Sequence, residues 1–167
     1  MKVLAIDPGT TQSAYVLYDS DTRSIDKSGL VVNEELCSLV GLLGNPKYGV
    51  GHMAIEMVKS YGNIMGDSVI RTCVWIGKFQ HAWRGDNFTE LPRKTVVTEL
   101  CGSSRAKDSN VRQALIDLFC EFYNLDDHKA AIGVKNAPGP LYGVKKDIWS
   151  ALAVAIVWVE LQKQQNN

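Results

Sequence analysis

The sequence predicts an α/β protein in which a five-stranded mixed sheet is flanked by helices on both faces. Two patterns lead to this prediction. Three segments of strand-like composition come first, and two further strands then alternate with segments of helical periodicity. Consecutive strands favour an antiparallel meander, whereas strands that alternate with helices favour parallel pairing, so the sheet should contain both.

Composition excludes several classes of protein. The apolar fraction of 46% and the charged fraction of 22% are typical of a globular domain. No apolar run approaches the roughly 20 residues that span a bilayer, and Asp7 interrupts the apolar N-terminus, unlike a signal peptide. We expect no membrane association, a cytoplasmic location, one domain over residues 1–163 and a short tail at 164–167.

The strand predictions rest on short apolar segments bounded by turn residues. Lys2–Ile6 ends at Asp7-Pro8-Gly9, which predicts a buried strand followed by a turn. Ser13–Tyr18 and Ser24–Val32 are rich in β-branched and aromatic residues and complete a three-stranded meander. Two more strands are predicted, at His52–Glu56 and at Asn87–Leu91.

The helix predictions rest on apolar residues spaced three and four apart between start and stop signals. Helices are predicted at 34–43 with Asn33 as cap and Gly44 as stop, at 63–83, at 92–100, from Asp108 or Ser109 to about Tyr123, and from Asp147 to about Lys163. The stretch Asn136–Gly143 holds two prolines and two glycines, which predicts an irregular segment.

Three acids stand at the ends of predicted elements. Asp7 closes the first strand, Glu56 closes the fourth, and Asp147 opens the last helix. If the first and fourth strands are parallel neighbours, Asp7 and Glu56 lie side by side, and adjacent carboxylates do not both stay ionised without a cation. Mg²⁺ prefers such oxygen ligands, and two ions about 4 Å apart can promote phosphodiester hydrolysis.

Each acid also has a purely structural interpretation. Asp7 could cap its own turn, and Asp147 could cap the last helix, where a negative charge is favourable. Glu56 lies between apolar residues on both sides, and such a glutamate is rarely buried without a partner. Taken together, the three acids favour a metal site over three unrelated structural roles.

Four segments resemble RuvC-type Holliday junction resolvases of the ribonuclease H-like superfamily, with a phage-type member as one possibility. The N-terminal segment 1–11 resembles the opening of these enzymes, and Ala54-Ile55-Glu56-Met57-Val58 resembles their second acidic motif. Residues 91–107 resemble the segment that leads to their basic DNA-contacting loop, and residues 147–155 resemble their last helix. The order and spacing of the segments cover nearly the whole chain.

The resemblance implies a ribonuclease H-like fold, a homodimer, branched DNA as partner, and two Mg²⁺ ions per active site, for which Mn²⁺ would substitute. Asp7 would bridge both ions, with Glu56 on one and Asp147 on the other. The family usually has a second acid three residues after the position of Asp147, where this chain has Ser150. That spacing keeps both residues on one helix face, so Ser150 is a metal-site candidate, but a hydroxyl is a weaker ligand than a carboxylate.

Basic residues concentrate in the middle of the chain although the net charge is zero. Residues 71–112 hold eight bases and four acids, which indicates a basic face or, alternatively, an ordinary mixed surface. The candidate DNA contacts are Lys59, Tyr61, Arg93, Lys94, Arg105, Lys107, Arg112 and Lys145. Lys146, beside Asp147, could hold the scissile phosphate or assist the attacking water, and Lys145 and Lys146 could equally be solvated charges. Tyr61 could stack on an unpaired base or be a half-buried loop residue.

Other features leave alternatives open. Trp75, Phe79 and Trp83 recur every four residues and could face the core or a dimer interface. Four cysteines without C-x-x-C spacing favour neither zinc nor disulfides. Asp7–Ser13 also resembles the phosphate loop of actin-like ATPases, which need a second such domain, so we expect no nucleotide cofactor. Besides a nuclease that cleaves Holliday junctions, two other functions remain open: a non-catalytic junction binder, and a nuclease for other branched or RNA-containing structures.

Overall fold

A computed structural model describes residues 1–59, 62 and 64–165. Its main sheet has five strands: β1 (Lys2–Asp7), β2 (Gln12–Asp19), β3 (Ser24–Val32), β4 (Val50–Met57) and β5 (Phe88–Pro92). Their order across the sheet is β3-β2-β1-β4-β5. β1, β2 and β3 form an antiparallel meander, whereas β4 pairs parallel with both β1 and β5. The predicted five-stranded mixed sheet is confirmed.

Six α-helices connect or cover these strands in the described part of the chain. They are α1 (Asn33–Leu43), α2 (Asp67–Trp83), α3 (Arg93–Cys101), α4 (Asp108–Tyr123), α5 (His128–Ile132) and α6 (Ile148–Gln165). A short 3-10 helix, Pro46–Tyr48, precedes β4. The predicted start of α2 near residue 63 is wrong, because the helix begins at Asp67 and Ile64 is fully exposed before it.

The helices lie on both faces of the sheet, as predicted. On one face α1 and α2 cover a core that contains Leu4, Ile6 and Ile55. On the other face α3, α4 and α6 cover a core that contains Val3 and Ala5. Alternate residues of β1 therefore point into opposite cores, which explains why this strand is a continuous apolar run.

Helix α6 is the central helix of the second core. It packs on β1, β2 and β4, and its residues from Ala151 to Val159 are all buried. A helix that is apolar on every side is stable only when surrounded, and α3 and α4 supply the remaining cover. This packing fixes the start of α6, and hence Asp147, against the end of the sheet. The helix continues to Gln165, beyond the predicted boundary at residue 163.

Asn33 has a different role from the predicted helix cap. It is the first residue of α1, is fully buried, and makes no capping bond. The Ser13 hydroxyl donates to Asn33 Oδ1 at 2.6 Å, and Asn33 Nδ2 donates to the Gly9 carbonyl at 3.0 Å. The Gly9 N–H in turn donates to the Ser13 hydroxyl at 3.0 Å. This closed ring of hydrogen bonds holds the turn that follows Asp7.

The connection between α4 and α6 is more ordered than predicted. It contains α5 and a small antiparallel hairpin of β6 (Gly133–Val134) and β7 (Ala137–Pro138). β7 falls within the stretch 136–143, so the prediction that this whole stretch is irregular is wrong. A Cβ on Gly139 would lie 2.1 Å from the Ala130 carbonyl oxygen, so glycine is required for the close approach.

Two further properties bear on the predictions. All four cysteines are free thiols. None of the helices in the described ranges combines the length and the apolar character of a membrane span.

Candidate active site

The carboxyl ends of three adjacent parallel strands place functional side chains at one edge of the sheet. Asp7 ends β1, Glu56 lies near the end of β4, and Arg93 begins α3 directly after β5. Ile6 pairs with Ile55, and Glu56 pairs with Leu91. Asp7 and Glu56 are therefore neighbours at the strand ends, and Arg93 lies two residues beyond Leu91, the partner of Glu56. This parallel pairing confirms the predicted neighbourhood of Asp7 and Glu56.

The Asp7 carboxyl carries the strongest electrostatic perturbation at this edge. Burial raises its pKa, and the negative charges of Glu56 and Asp147 raise it further. The positive charge of Arg93 and a hydrogen bond from Ser150 act in the opposite direction. The net result is a pKa of about 7. Burial and the neighbouring carboxylates therefore outweigh the effects of Arg93 and Ser150 on Asp7.

Glu56 is paired with Arg93. Its carboxylate is 13% exposed, and Arg93 Nη1 donates to Glu56 Oε2 at 3.1 Å. Burial raises the pKa of Glu56, while the charge and the hydrogen bond of Arg93 lower it. The other end of the guanidinium, Nη2, donates to Asp108 at the start of α4. Asp108 therefore does not cap α4 as predicted, because its side chain is engaged by Arg93 and Lys107 is the capping residue.

Asp147 and Ser150 approach the same edge from the start of α6. The Asp147 carbonyl accepts hydrogen bonds from the amides of Ser150 and Ala151, so Asp147 opens the helix as predicted. Its side chain is exposed, whereas Ser150 is half-buried. Both act on Asp7, Asp147 through its charge and Ser150 through a hydrogen bond. Asp147 and Ser150 thus lie close enough to Asp7 to influence its charge.

The donor chemistry of this site fits a hard divalent cation. Its ligand atoms are carboxylate and hydroxyl oxygens, and a cation would stabilise the ionised form of Asp7, which burial and the neighbouring acids disfavour. Among the described residues, however, no three acidic, histidine or cysteine side chains already converge as a ligand set. One oxygen of Glu56 is engaged by Arg93, and Asp147 is exposed.

A groove of about 750 Å³ opens next to Asp147. It is lined by the start of α4, by α5 and by the start of α6, and its cationic side chains include Arg112, Lys145 and Lys146. The Arg112 guanidinium lies 5.3 Å from the centre of the Trp149 ring. Three predicted basic residues therefore share one groove with two predicted metal-site residues.

Sequence reasoning missed two other polar residues of this groove. His128 begins α5, and Gln113 lies on α4 within reach of it. His128 pairs with Asp117 at 2.8 Å. No sequence motif marks either residue, because the sequence pattern does not predict α5 and its packing against α4 is a tertiary contact.

The other predicted DNA contacts are distributed around the site. Lys59 and Lys94 line a smaller groove of about 300 Å³ beside α3. Arg105 and Lys107 are exposed in the loop between α3 and α4. Tyr61 lies outside the described residues. The structure therefore places the predicted basic residues in two grooves and one loop.

The aromatic stripe of α2 faces mainly the core. Phe79 and Trp83 are fully buried, whereas Trp75 is half-buried with Lys78 Nζ 4.0 Å from its ring centre. The outward side of α2 exposes Ile70 and Val74, each about half exposed. The apolar surface of α2 that a partner could contact is therefore formed mainly by Ile70 and Val74, next to the aromatic stripe.

The sheet order and the covering helices match a ribonuclease H-like fold. No protein-family model and no curated protein matches the sequence. Among solved structures, RuvC from Thermus thermophilus is similar with a TM-score of 0.67 and 15% identity, over 99% of this chain and 97% of that one.

The same bacterial protein in complex with a Holliday junction substrate is similar with a TM-score of 0.65 and 16% identity, over 99% of this chain and 96% of the other. A fowlpox virus resolvase in complex with Holliday junction DNA is similar with a TM-score of 0.52 and 12% identity, over 97% and 99%. At these identities the likeness establishes the fold. The chain has the architecture of RuvC over almost its whole length.

Proposed function

We propose that this protein is a structure-selective endonuclease that cleaves Holliday junctions or other branched DNA by metal-dependent phosphodiester hydrolysis. The observation that carries the proposal is the neighbouring position of Asp7 and Glu56 at the carboxyl ends of β1 and β4, with the charge of Asp147 acting on Asp7. Support comes from the likeness in fold to two resolvases whose structures contain junction DNA. Neither the sheet nor the core requires three acids at this point.

Asp7, Glu56 and Asp147 would hold the cations. When bound, two Mg²⁺ ions, or Mn²⁺ in their place, would neutralise the phosphodiester and make a nearby water more acidic. Asp7 must be deprotonated to bind, and its raised pKa means that metal binding releases a proton near neutral pH.

The basic groove would hold the DNA strand next to the cut. Arg112 and Lys145 would contact backbone phosphates, which position DNA without reading its sequence. Lys146, beside Asp147, would hold the scissile phosphate or assist the attacking water. Lys59, Lys94, Arg105 and Lys107 would contact phosphates farther along the branches. For Tyr61 the role in stacking remains a prediction from the sequence alone.

Ser150 would orient Asp7 rather than replace a carboxylate. Its hydrogen bond favours the ionised form of Asp7, which is the form that binds a cation. A hydroxyl adds no negative charge, so the ion on Asp147 would be held more weakly than by a second acid. The site should therefore need a higher divalent concentration for full activity than a site with four acids.

Symmetric cuts in a four-way junction require two active sites, so we propose a homodimer. The outward face of α2 is the candidate interface, because Ile70 and Val74 expose apolar side chains there. A stable interface buries about 800 Å² per partner. Substitution of Val74 by Glu would place an unpaired charge in that interface. Analytical ultracentrifugation should then detect monomers.

The direct test is cleavage of labelled four-way junctions and of a linear duplex of the same sequence. We expect cleavage of the junction in Mg²⁺ or Mn²⁺, little cleavage of the duplex, and none with EDTA. Asp7→Asn and Glu56→Gln should abolish cleavage while retaining junction binding. A wild-type protein that binds junctions but cuts no branched DNA with either metal would instead be a non-catalytic junction binder.

A further inference from the structure

Arg93 occupies a position that the proposed mechanism leaves unexplained. Its guanidinium bridges Glu56, a proposed metal ligand, and Asp108, which is 87% exposed at the start of another helix. Its charge also acts on Asp7. The positive charge of Arg93 therefore acts on Glu56 and Asp7, two of the acids that the proposed metal ions would bind.

We propose that Arg93 is an exchangeable counter-ion: it holds Glu56 in the metal-free site, releases it when a divalent cation binds, and then binds a DNA phosphate. The inference rests on the proposed metal-dependent nuclease function. It assigns Arg93 a positioning role that goes beyond a fixed contact with DNA.

The charges at the site explain why such a counter-ion is needed. Glu56 is largely buried beside Asp7, and two buried carboxylates in one site destabilise each other. Arg93 relieves this repulsion before the cation arrives. The same contact then competes with the cation, because Arg93 engages Glu56 Oε2 and its positive charge beside the carboxylate repels a metal ion.

The contact with Asp108 keeps the released guanidinium close to the site. Asp108 begins α4 and lines the basic groove beside Asp147, and Arg93 itself is 40% exposed. A guanidinium has five donors in a planar fork that fits phosphate oxygens. After the exchange Arg93 would therefore be anchored at the edge of the groove with donors free for a backbone phosphate.

This exchange predicts coupling between the two ligands. A cation that frees Arg93 raises the affinity for DNA, and DNA that engages Arg93 raises the affinity for the cation by the same factor. Cations would then bind weakly to the free protein and more tightly to the DNA complex. Without Arg93 the free protein should bind cations better, and much of the coupling should disappear.

The test measures Mn²⁺ binding to the full chain without DNA, by electron paramagnetic resonance of the free ion. Arg93→Gln should bind Mn²⁺ about tenfold more tightly than wild type, which corresponds to ~1.4 kcal/mol. Arg93→Lys keeps the charge and should stay near wild type. Arg112→Gln is the matched control, because it removes the same charge from the adjacent groove without touching Glu56. Circular dichroism verifies that each variant is folded.

A second measurement records the effect of DNA. Junction binding is followed by fluorescence anisotropy with and without Ca²⁺, which prefers a looser ligand set than Mg²⁺ and should slow hydrolysis. In wild type Ca²⁺ should strengthen binding, and this gain should shrink severalfold in Arg93→Gln. A gain of equal size in both proteins would overturn the inference.

The outcomes separate the inference from the proposed function. Unchanged or weaker Mn²⁺ binding in Arg93→Gln, or an equal increase in Arg112→Gln, overturns the exchange but retains the metal site. If wild type and Arg93→Gln bind no Mn²⁺, and Asp7→Asn behaves identically, both the exchange and the metal site are refuted.

Discussion

Replacement of Asp7 by Asn should stabilise the metal-free protein while it destroys the proposed metal site. The pKa of Asp7 is about 7 in the folded protein, against an ordinary value of 3.8. Between these values the folded state binds the additional proton, so the folding free energy contributed by Asp7 becomes less favourable as pH rises from about 4 to 7. Above pH 7 the full cost of the buried negative charge is present.

The size of this effect follows from the difference between the two pKa values. A difference of about three corresponds to about 4 kcal/mol, and we reduce this to about 2 kcal/mol because the side chain is only half-buried and solvent screens its charge. Asn has nearly the same shape, no charge, and an oxygen that can still accept from Ser150. At pH 8 in EDTA, Asp7→Asn should therefore be more stable than wild type, and this advantage should vanish near pH 4.

The assay is urea unfolding at several pH values, with EDTA or with Mn²⁺. Mn²⁺ should stabilise wild type and leave Asp7→Asn unchanged, because a ligand that binds only the folded state raises its stability. Asp21→Asn is a control, since Asp21 is an exposed carboxylate that pairs with the N-terminal ammonium at the opposite end of β1 from Asp7. Equal stability of Asp7→Asn and wild type at pH 8 would refute the proposed electrostatic strain at the site.

Three further outcomes are expected. Asn33→Ala should cost about 1–3 kcal/mol in urea unfolding, because the Ser13 hydroxyl and the Gly9 carbonyl lose buried partners; a loss under about 0.5 kcal/mol would contradict this. His52 stacks on Trp158, and burial lowers its pKa to about 4. The folded state disfavours the proton on His52, so the contribution of His52 to stability should fall by about 1–2 kcal/mol between pH 6.5 and 4 after allowance for screening, opposite in sign to that of Asp7. His52→Phe keeps the stack and removes this contribution, so its stability relative to wild type in urea unfolding should rise by that amount as pH falls over this range. Ser150→Asp should tighten Mn²⁺ binding in calorimetry, and weaker binding would place Ser150 outside the metal site.

The strand ends can be predicted from sequence because they depend on local patterns. A short apolar run that stops at an acid marks the end of a buried strand, and parallel strands present their ends at one edge. These two patterns alone are enough to place Asp7 and Glu56 together, and the register of β1 and β4 agrees with that placement.

The pairings between distant segments cannot be predicted in this way. Arg93 contacts Glu56 across 37 positions of the chain, and nothing in either local segment marks the contact. Asn33 satisfies the local rule for a helix cap, but the buried Ser13 and Gly9 compete for its side chain in the folded protein. Tertiary contacts decide the role of both residues.

The connection between α4 and α6 escapes prediction for a different reason. Prolines and glycines at 136–143 indicate breaks in regular structure. Here they permit a hairpin whose strands have two residues each, and they permit close backbone packing. Helix α5 has only five residues, which is too short for apolar periodicity to be visible.

Anomalous diffraction from crystals of the protein soaked in Mn²⁺ tests the central claim most directly. We predict Mn²⁺ peaks in contact with Asp7, one of them also in contact with Glu56, whose carboxylate has left Arg93. A second peak should lie between Asp7 and Asp147. Peaks only at other surfaces, or none at saturating Mn²⁺, would contradict the claim that these three carboxylates form a metal site.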